Sequence, residues 1–320
     1  MANPTRALAF LAASSRAGPA LLAAGIFGGV LVPPLARAMH AAIAPAVVGL
    51  MTLVLLRVDL ATAFAHLRRP LRVAAIVAFL LLACPVLARL AVMPLGLDPG
   101  VAAGVVVFAT GCAATSGPAF ARLVGLDPEL TLLATLATTF LVPLTAPPLM
   151  WALAGVEFSI GVGAFMARLA LIVGLPLALS LVLRRAVGPA RLVPLGPAVD
   201  GGVVWLLVIY GLGVMDGLAA RILADPAWVA QALAAAFAAD FGLNALTAAA
   251  FAWMGRRAAC SAGLMSGNRN MALFLAILPA GADPRLGLFF ALCQFPLFLS
   301  PFMLRGVYRR WGRIKTISHH

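Results

Sequence analysis

The chain has 320 residues, 63% of them hydrophobic and only 10% charged. A soluble domain carries about 25% charged residues, so a water-soluble fold of this size could not cover its surface. The formal charge of +13 therefore does not point to nucleic acid. Its arginines flank apolar stretches, the pattern that the positive-inside rule describes for membrane proteins.

Residues Met1 to Arg16 carry Arg6 and Arg16 around a weak apolar run. They could pass for a secretory signal, but an apolar span follows at once, and they read as a cytoplasmic or interfacial lead-in. A membrane span needs about 20 mainly apolar residues. Ten such stretches follow, at roughly 18–36, 40–57, 71–92, 100–122, 128–152, 159–184, 198–218, 228–255, 258–279 and 284–305. With ten spans both termini share one side. Seventeen of the 23 basic residues fall there, against four opposite. That asymmetry predicts an inner-membrane protein with both termini in the cytoplasm and an even number of spans. Cys84, Cys112, Cys260 and Cys293 all sit inside apolar stretches with no CxxC pair, which indicates neither a disulfide framework nor a zinc site. The Gly-Gly pairs at 28–29 and 201–202 permit close helix packing.

Two pairs of short motifs recur at one spacing. The fourth span contains Thr115-Ser116-Gly117-Pro118 and the ninth Met265-Ser266-Gly267-Asn268, so Ser-Gly returns after 150 positions. Val142-Pro143-Leu144 in the fifth span and Phe295-Pro296-Leu297 in the tenth are 153 apart. Both offsets are close to half the chain. Halves with five spans each must sit inverted in the membrane. The expected fold is therefore an all-α polytopic membrane protein with about ten transmembrane helices in two inverted five-helix repeats. The repeats cover residues 1–155 and 156–310, and a basic cytoplasmic tail covers 311–320. In such architectures the site lies at the midplane, where helices break. Gly and Pro there free backbone groups, which are tolerated only inside protein or around a cavity.

Gly267-Asn268-Arg269-Asn270 is a polar island in the apolar run from Ala262 to Pro279. An arginine near the bilayer centre costs about 2.5–3.5 kcal/mol on insertion scales, so its position asks for a reason. One reading is an anionic-substrate site around Arg269, assisted by Asn268, Asn270 and the free N–H groups of a helix break. The other is a buried ion pair with Asp240, Asp200 or Asp216. Asp240 and Asn244 lie at i and i+4 on one face of the eighth span, where they pair with Arg269, relay protons or line a cavity. Thr131, Thr135, Thr138 and Thr139 either bond back to helix carbonyls or line a polar cavity in the fifth span. Gln294 is a weaker candidate of the same kind.

Over roughly residues 20–305 the chain resembles the bile acid:sodium symporter family, whose wider superfamily contains arsenite exporters. The resemblance rests on three places. Arg69-Pro70 leads a third span with Pro85 near its middle, Cys112 to Pro147 resembles a broken fourth span with the fifth, and Gly263 to Leu273 resembles a broken ninth span. It implies a four-helix panel domain and a six-helix core domain in which the broken spans cross, with sodium and substrate bound beside the crossing. Thr115, Gly267 and Asn270 match positions lining the family's substrate cavity, with Ser116 and Asn268 beside them. The hydroxyls of the family's first sodium site survive as Thr131 and Thr135. The other sodium ligands are replaced. The family's Ser-Asn pair aligns with Gly117 and Pro118, its shared glutamate with Met265, its second-site glutamine with Arg269 and its third-span glutamine with Leu80.

The resemblance thus implies a secondary transporter of small organic anions that has lost sodium coupling, with Arg269 as a fixed positive charge where sodium would sit. Facilitated diffusion, exchange and proton coupling through Asp240 stay open. No other cofactor is implied. The alternatives are a non-transporting membrane sensor or scaffold on the same fold, and an arsenite-type metalloid exporter using Cys112 as a thiolate beside the first break. No HExxH, GxSxG or paired-aspartate motif suggests an enzyme. The basic C-terminus is expected to meet anionic lipid headgroups.

Overall fold

Apolar segments with no water to satisfy their backbone must bond internally, and helices do this within one segment. The structure, a computed structural model, describes residues 4–58, 70–156, 161–278 and 283–312, and among them every regular element is helical. In chain order these are α1 (Pro4–Arg16), α2 (Gly18–Leu31), α3 (Pro33–His40), α4 (Ile43–Leu56), α5 (Pro70–Leu95), α6 (Pro99–Thr110), α7 (Gly117–Val124) and α8 (Pro128–Ala154). They continue with α9 (Val162–Val187), α10 (Pro189–Val214), α11 (Leu218–Ala224), α12 (Pro226–Ala250), α13 (Arg256–Gly267), α14 (Ala272–Ile277), α15 (Pro284–Met303) and α16 (Arg305–Gly312).

The protein is an all-α, multi-pass membrane protein. Among the described residues six helices are long and apolar enough to cross a bilayer, and eight spans result if two bent pairs each count as one. The second bent pair, α3 with α4, turns by 69°. Three of the stretches read as spans are not single helices: 18–36 runs from α2 across Val32 into α3, and two others are interrupted near their middles. Residues 99–124 form helices of 12 and 8 residues, and residues 256–277 form helices of 12 and 6 residues. The lead-in is also helical, as α1. Arg68, Arg69, Arg313, Lys315 and most of the 311–320 tail lie outside the described residues.

Local sequence explains where the central helices begin and end. Asp98 caps α6 by accepting N–H bonds from Gly100 and Val101, and Asp127 caps α8 by accepting from Glu129 and Leu130. Each is followed by proline, whose missing N–H costs nothing in a first turn. Gly125 and Gly155 adopt left-handed conformations that close α7 and α8.

Contacts divide the chain into two compact units. The first comprises Met1–Thr62, Ser159–Val229 and Ala272–Ala291. Within it α10 packs against α1, α2, α3 and α4, and α9 packs against α4 and α14. The expected glycine contacts are present. A Cβ on Gly29 would lie 2.7 Å from the Leu212 carbonyl, and one on Gly201 would overlap the main chain of Leu11. At the end of α4, Arg57 donates to the Gly196 carbonyl (2.7 Å) and pairs with Asp200 (2.9 Å).

The second unit comprises Ala63–Phe158, Ala230–Met271 and Leu292–His320. Its main core joins Val73, Ile76 and Leu80 of α5 to Leu133 and Ala134 of α8 and to Ala262 and Met265 of α13. A smaller cluster holds Ala121 and Val124 of α7, Cys260 and Leu264 of α13, and Tyr308 of α16. The Asp240–Asn244 face of α12 presses on two glycines of α13. A Cβ on Gly263 would lie 2.6 Å from the Asn244 carbonyl, and one on Gly267 would lie 2.7 Å from the Asp240 carbonyl.

Candidate functional site

The second unit contains the first interrupted stretch and, as far as Met271, the second with its break. α6 tightens at its end, with Thr110 Oγ1 donating to the Val107 carbonyl (2.7 Å) and the Gly111 N–H to the Phe108 carbonyl (3.1 Å). Gly111 is extended, residues 115–116 form a turn, and the helix resumes at Gly117. α13 ends at Gly267, and Asn268 is extended. The two interruptions lie side by side. The Ala114 N–H donates to the Asn268 carbonyl and the Asn270 N–H to the Cys112 carbonyl, both at 2.9 Å, so Ala113 and Arg269 form an antiparallel bridge. The Ala113 N–H donates to Thr138 Oγ1 of α8 at 3.2 Å. Main-chain groups released by each break are thus satisfied by the other break and by a side chain, as burial demands. Gly111 packs closely here, since a Cβ there would lie 2.5 Å from Met271 Cε, the end of a flexible side chain, and 3.4 Å from Arg269 Cβ.

Arg269 is fully buried at this crossing. Its Nε donates to the Ser266 carbonyl (2.8 Å), and its Nη1 donates to the carbonyls of Gly111 (2.6 Å) and Leu80 (3.1 Å). Nη2 lies 3.5 Å from Ser266 Oγ, which is itself 3.3 Å from Cys84 Sγ. The acceptors exist because helices are broken or distorted there. Gly111 is extended, so its carbonyl has left the ladder of α6. Leu80 lies in a π-helical turn of α5, Phe79–Ala83, where the Cys84 N–H reaches Phe79 instead of Leu80. The next residue is Pro85, which has no N–H to offer. A proline on one helix therefore leaves free the carbonyl that an arginine on another uses.

No carboxylate among the described residues lies within ion-pair distance of Arg269. The three candidate partners are engaged elsewhere. Asp200 pairs with Arg57, Asp216 lies 3.6 Å from His40, and Asp240 Oδ2 accepts from Ser300 Oγ at 3.2 Å. The ion-pair reading of Arg269 is therefore replaced by a carbonyl cage. Each guanidinium nitrogen has a hydrogen-bond partner, and no carboxylate among the described residues compensates the charge.

The remaining candidates fall into three groups. At the crossing, Asn268 is fully buried and donates to the Leu264 carbonyl (3.2 Å), while Thr115, Ser116 and Asn270 are half-buried. Gly267 faces Asp240. On α8, Thr131 bonds to the Asp127 carbonyl, and Thr138 and Thr139 bond to the Thr135 carbonyl. Thr135 Oγ1 has no partner, and it would lie 3.6 Å from a Cβ on Gly117. On α12, the Asn244 amide donates to the Tyr308 hydroxyl. Met265 is packed in the apolar core with Leu80, Ala113 and Leu133. Among the described residues no three His, Cys, Asp or Glu side chains are grouped as metal ligands.

Sequence reasoning did not find Leu80, Gly111, Ser300 or Tyr308 as partners of these residues. Pro85 was a readable signal for the first of them. The others meet their partners across 60 or more residues of chain and leave no local mark. No protein-family profile matches the chain, and no curated protein matches it.

Proposed function

We propose that the chain is a secondary transporter of small organic anions, with ten spans in two inverted five-span repeats and its substrate site at the crossing. The observation that carries this reading is a fully buried guanidinium, with no carboxylate beside it among the described residues, where two interrupted helices pair. An uncompensated cation in a low-dielectric interior attracts an anion strongly. Half-buried Thr115, Ser116 and Asn270 border it with hydroxyl and amide groups.

Two features support the inverted repeats. An antiparallel bridge is two-fold symmetric, and its residues, Ala113 and Arg269, sit at nearly the motif spacing. The contact units also begin each half in the same order, with 1–62 then 63–158, and 159–229 then 230–271, although 272–291 returns to the first unit. Apart from that segment, the division follows the one expected of a panel and a core. Counting each interrupted stretch as one span adds two to the eight. The charge asymmetry then supports both termini on the cytoplasmic side of a cell inner membrane.

The carrier reading also explains the replaced ligands. Leu80, Gly111 and Ser266 offer carbonyl oxygens of the kind that hold a hard cation, and the Arg269 guanidinium already fills them. Met265 brings no oxygen. The protein therefore moves its anion without sodium.

The test is binding and vesicle uptake of a panel of small carboxylates by purified protein, with sodium or with choline. Sodium-independent binding that is lost in Arg269→Gln supports the reading. Wild-type uptake that requires sodium overturns the arginine's role. Binding without flux turns the protein into a sensor on the same framework.

A further inference from the structure

Asp240 is the one carboxylate among the described residues that is fully buried. Its Oδ2 accepts from Ser300 Oγ at 3.2 Å, and its Oδ1 has no partner. Asn268 flanks the same hydroxyl. Its Nδ2 lies 3.5 Å from Ser300 Oγ, and its Oδ1 also lacks a donor. This buried cluster therefore contains two acceptor oxygens and is short of donors.

Among the described residues no cation is found in contact with the cluster. From α13 it meets Gly267. From α15 come Ser300 and Cys293, whose thiol lies in electrostatic reach of Asp240. From α16 comes Tyr308, whose hydroxyl takes the Asn244 amide one turn along α12. Cys260 of α13 is the next titratable group, reached through Tyr308. Arg269 follows Asn268 in the chain but donates to Ser266, Leu80 and Gly111.

An ionised carboxylate in such surroundings is very costly unless something neutralises it. A metal cation would need a shell of several oxygens. Among the described contacts the carboxylate has one further oxygen beside it, Ser300 Oγ, and Gly267 packs closely on the α13 side. A proton needs no cavity, and it supplies the donor that the cluster lacks.

We propose that Asp240 is a proton-binding site, and that the carrier couples anion movement to a proton taken up there. The carboxylate binds one proton from one side of the membrane and becomes a neutral acid. It releases that proton to the other side. The hydroxyl of Ser300 connects the acid to Asn268, whose main-chain oxygen accepts the Ala114 N–H at the crossing. The state of the acid is thereby passed to the pairing of the two breaks. The coupling rests on the transporter reading, but the proton site does not.

Infrared difference spectroscopy on full-length protein in lipid nanodiscs reads the acid directly. The expected result is a carboxylic-acid carbonyl band that is lost as pH rises and is missing in Asp240→Asn. In Ser300→Ala the band should persist to higher pH, because a donor to the ionised form has been removed. The site is overturned by a wild type without the band at any pH where it stays folded, by an unchanged band in Asp240→Asn, or by loss of the band on adding sodium at fixed pH. If Asp240→Asn does not fold, an unshifted band in Ser300→Ala overturns it. Uptake tests the coupling separately. An inward proton gradient should accelerate anion uptake in the wild type and lose that effect in Asp240→Asn. A titrating band in a protein that moves no anion would keep the proton site and overturn the coupling.

Discussion

Two fully buried ionisable residues, Arg269 and Asp240, lie in the same unit and are treated in opposite ways. The guanidinium receives three carbonyl oxygens from Leu80, Gly111 and Ser266. The carboxylate receives one hydroxyl and keeps an orphan oxygen. The difference comes from what a disturbed helix can offer. The end of a helix leaves carbonyls unpaired, and a π turn before a proline frees another, so a cation among them is satisfied cheaply. Donors for an anion are scarcer there, because the freed N–H groups of Ala113, Ala114 and Asn270 already have acceptors. The crossing is thus a good host for positive charge and a poor one for the acid beside it.

Substitutions test that contrast. Arg269→Ala should have the largest effect, costing about 4 kcal/mol in detergent-solubilised unfolding, because three carbonyls lose their donors and a cavity remains. Gly267→Ala should cost about 2 kcal/mol by thermal shift, since its Cβ would press on the Asp240 main chain at 2.7 Å. Thr138→Val removes the acceptor of the Ala113 N–H and should cost about 1 kcal/mol, with faster amide exchange at Ala113. Asp240→Asn should change stability least, by under about 1 kcal/mol, because the amide keeps an acceptor for Ser300 and adds donors. A loss in Asp240→Asn as large as that in Arg269→Ala would erase the distinction between the two residues.

The sequence made some of this legible and hid the rest for physical reasons. Membrane class followed from composition. The breaks could be located because glycine, proline and polar residues are costly inside apolar spans, and Thr115 to Pro118 and Gly267 to Asn270 stand out against their surroundings. Arg269 was readable as central for the same reason. Its partners were not, because main-chain carbonyls carry no residue identity, and their availability depends on how Pro85 distorts α5. The ion-pair alternative with Asp200 failed because Arg57 reaches that carboxylate from α4 within the first unit. The count of long helices falls short of ten stretches because a hydropathy window passes over a break, whereas a helix stops at it. Tyr308 reached Asn244 unannounced, since a single tyrosine in a basic tail looks like an interfacial anchor.

The bridge between Ala113 and Arg269 has a mechanical consequence. Two interrupted rods joined at their midpoints by a pair of main-chain bonds act like scissors on a rivet. Tilting one blade drags the other, and neither half can slide lengthwise until both bonds open. Force applied at α7 or α13 is therefore delivered at the pivot. The amides of Ala114 and Asn270 should gain or lose their protection from exchange together, as a single event.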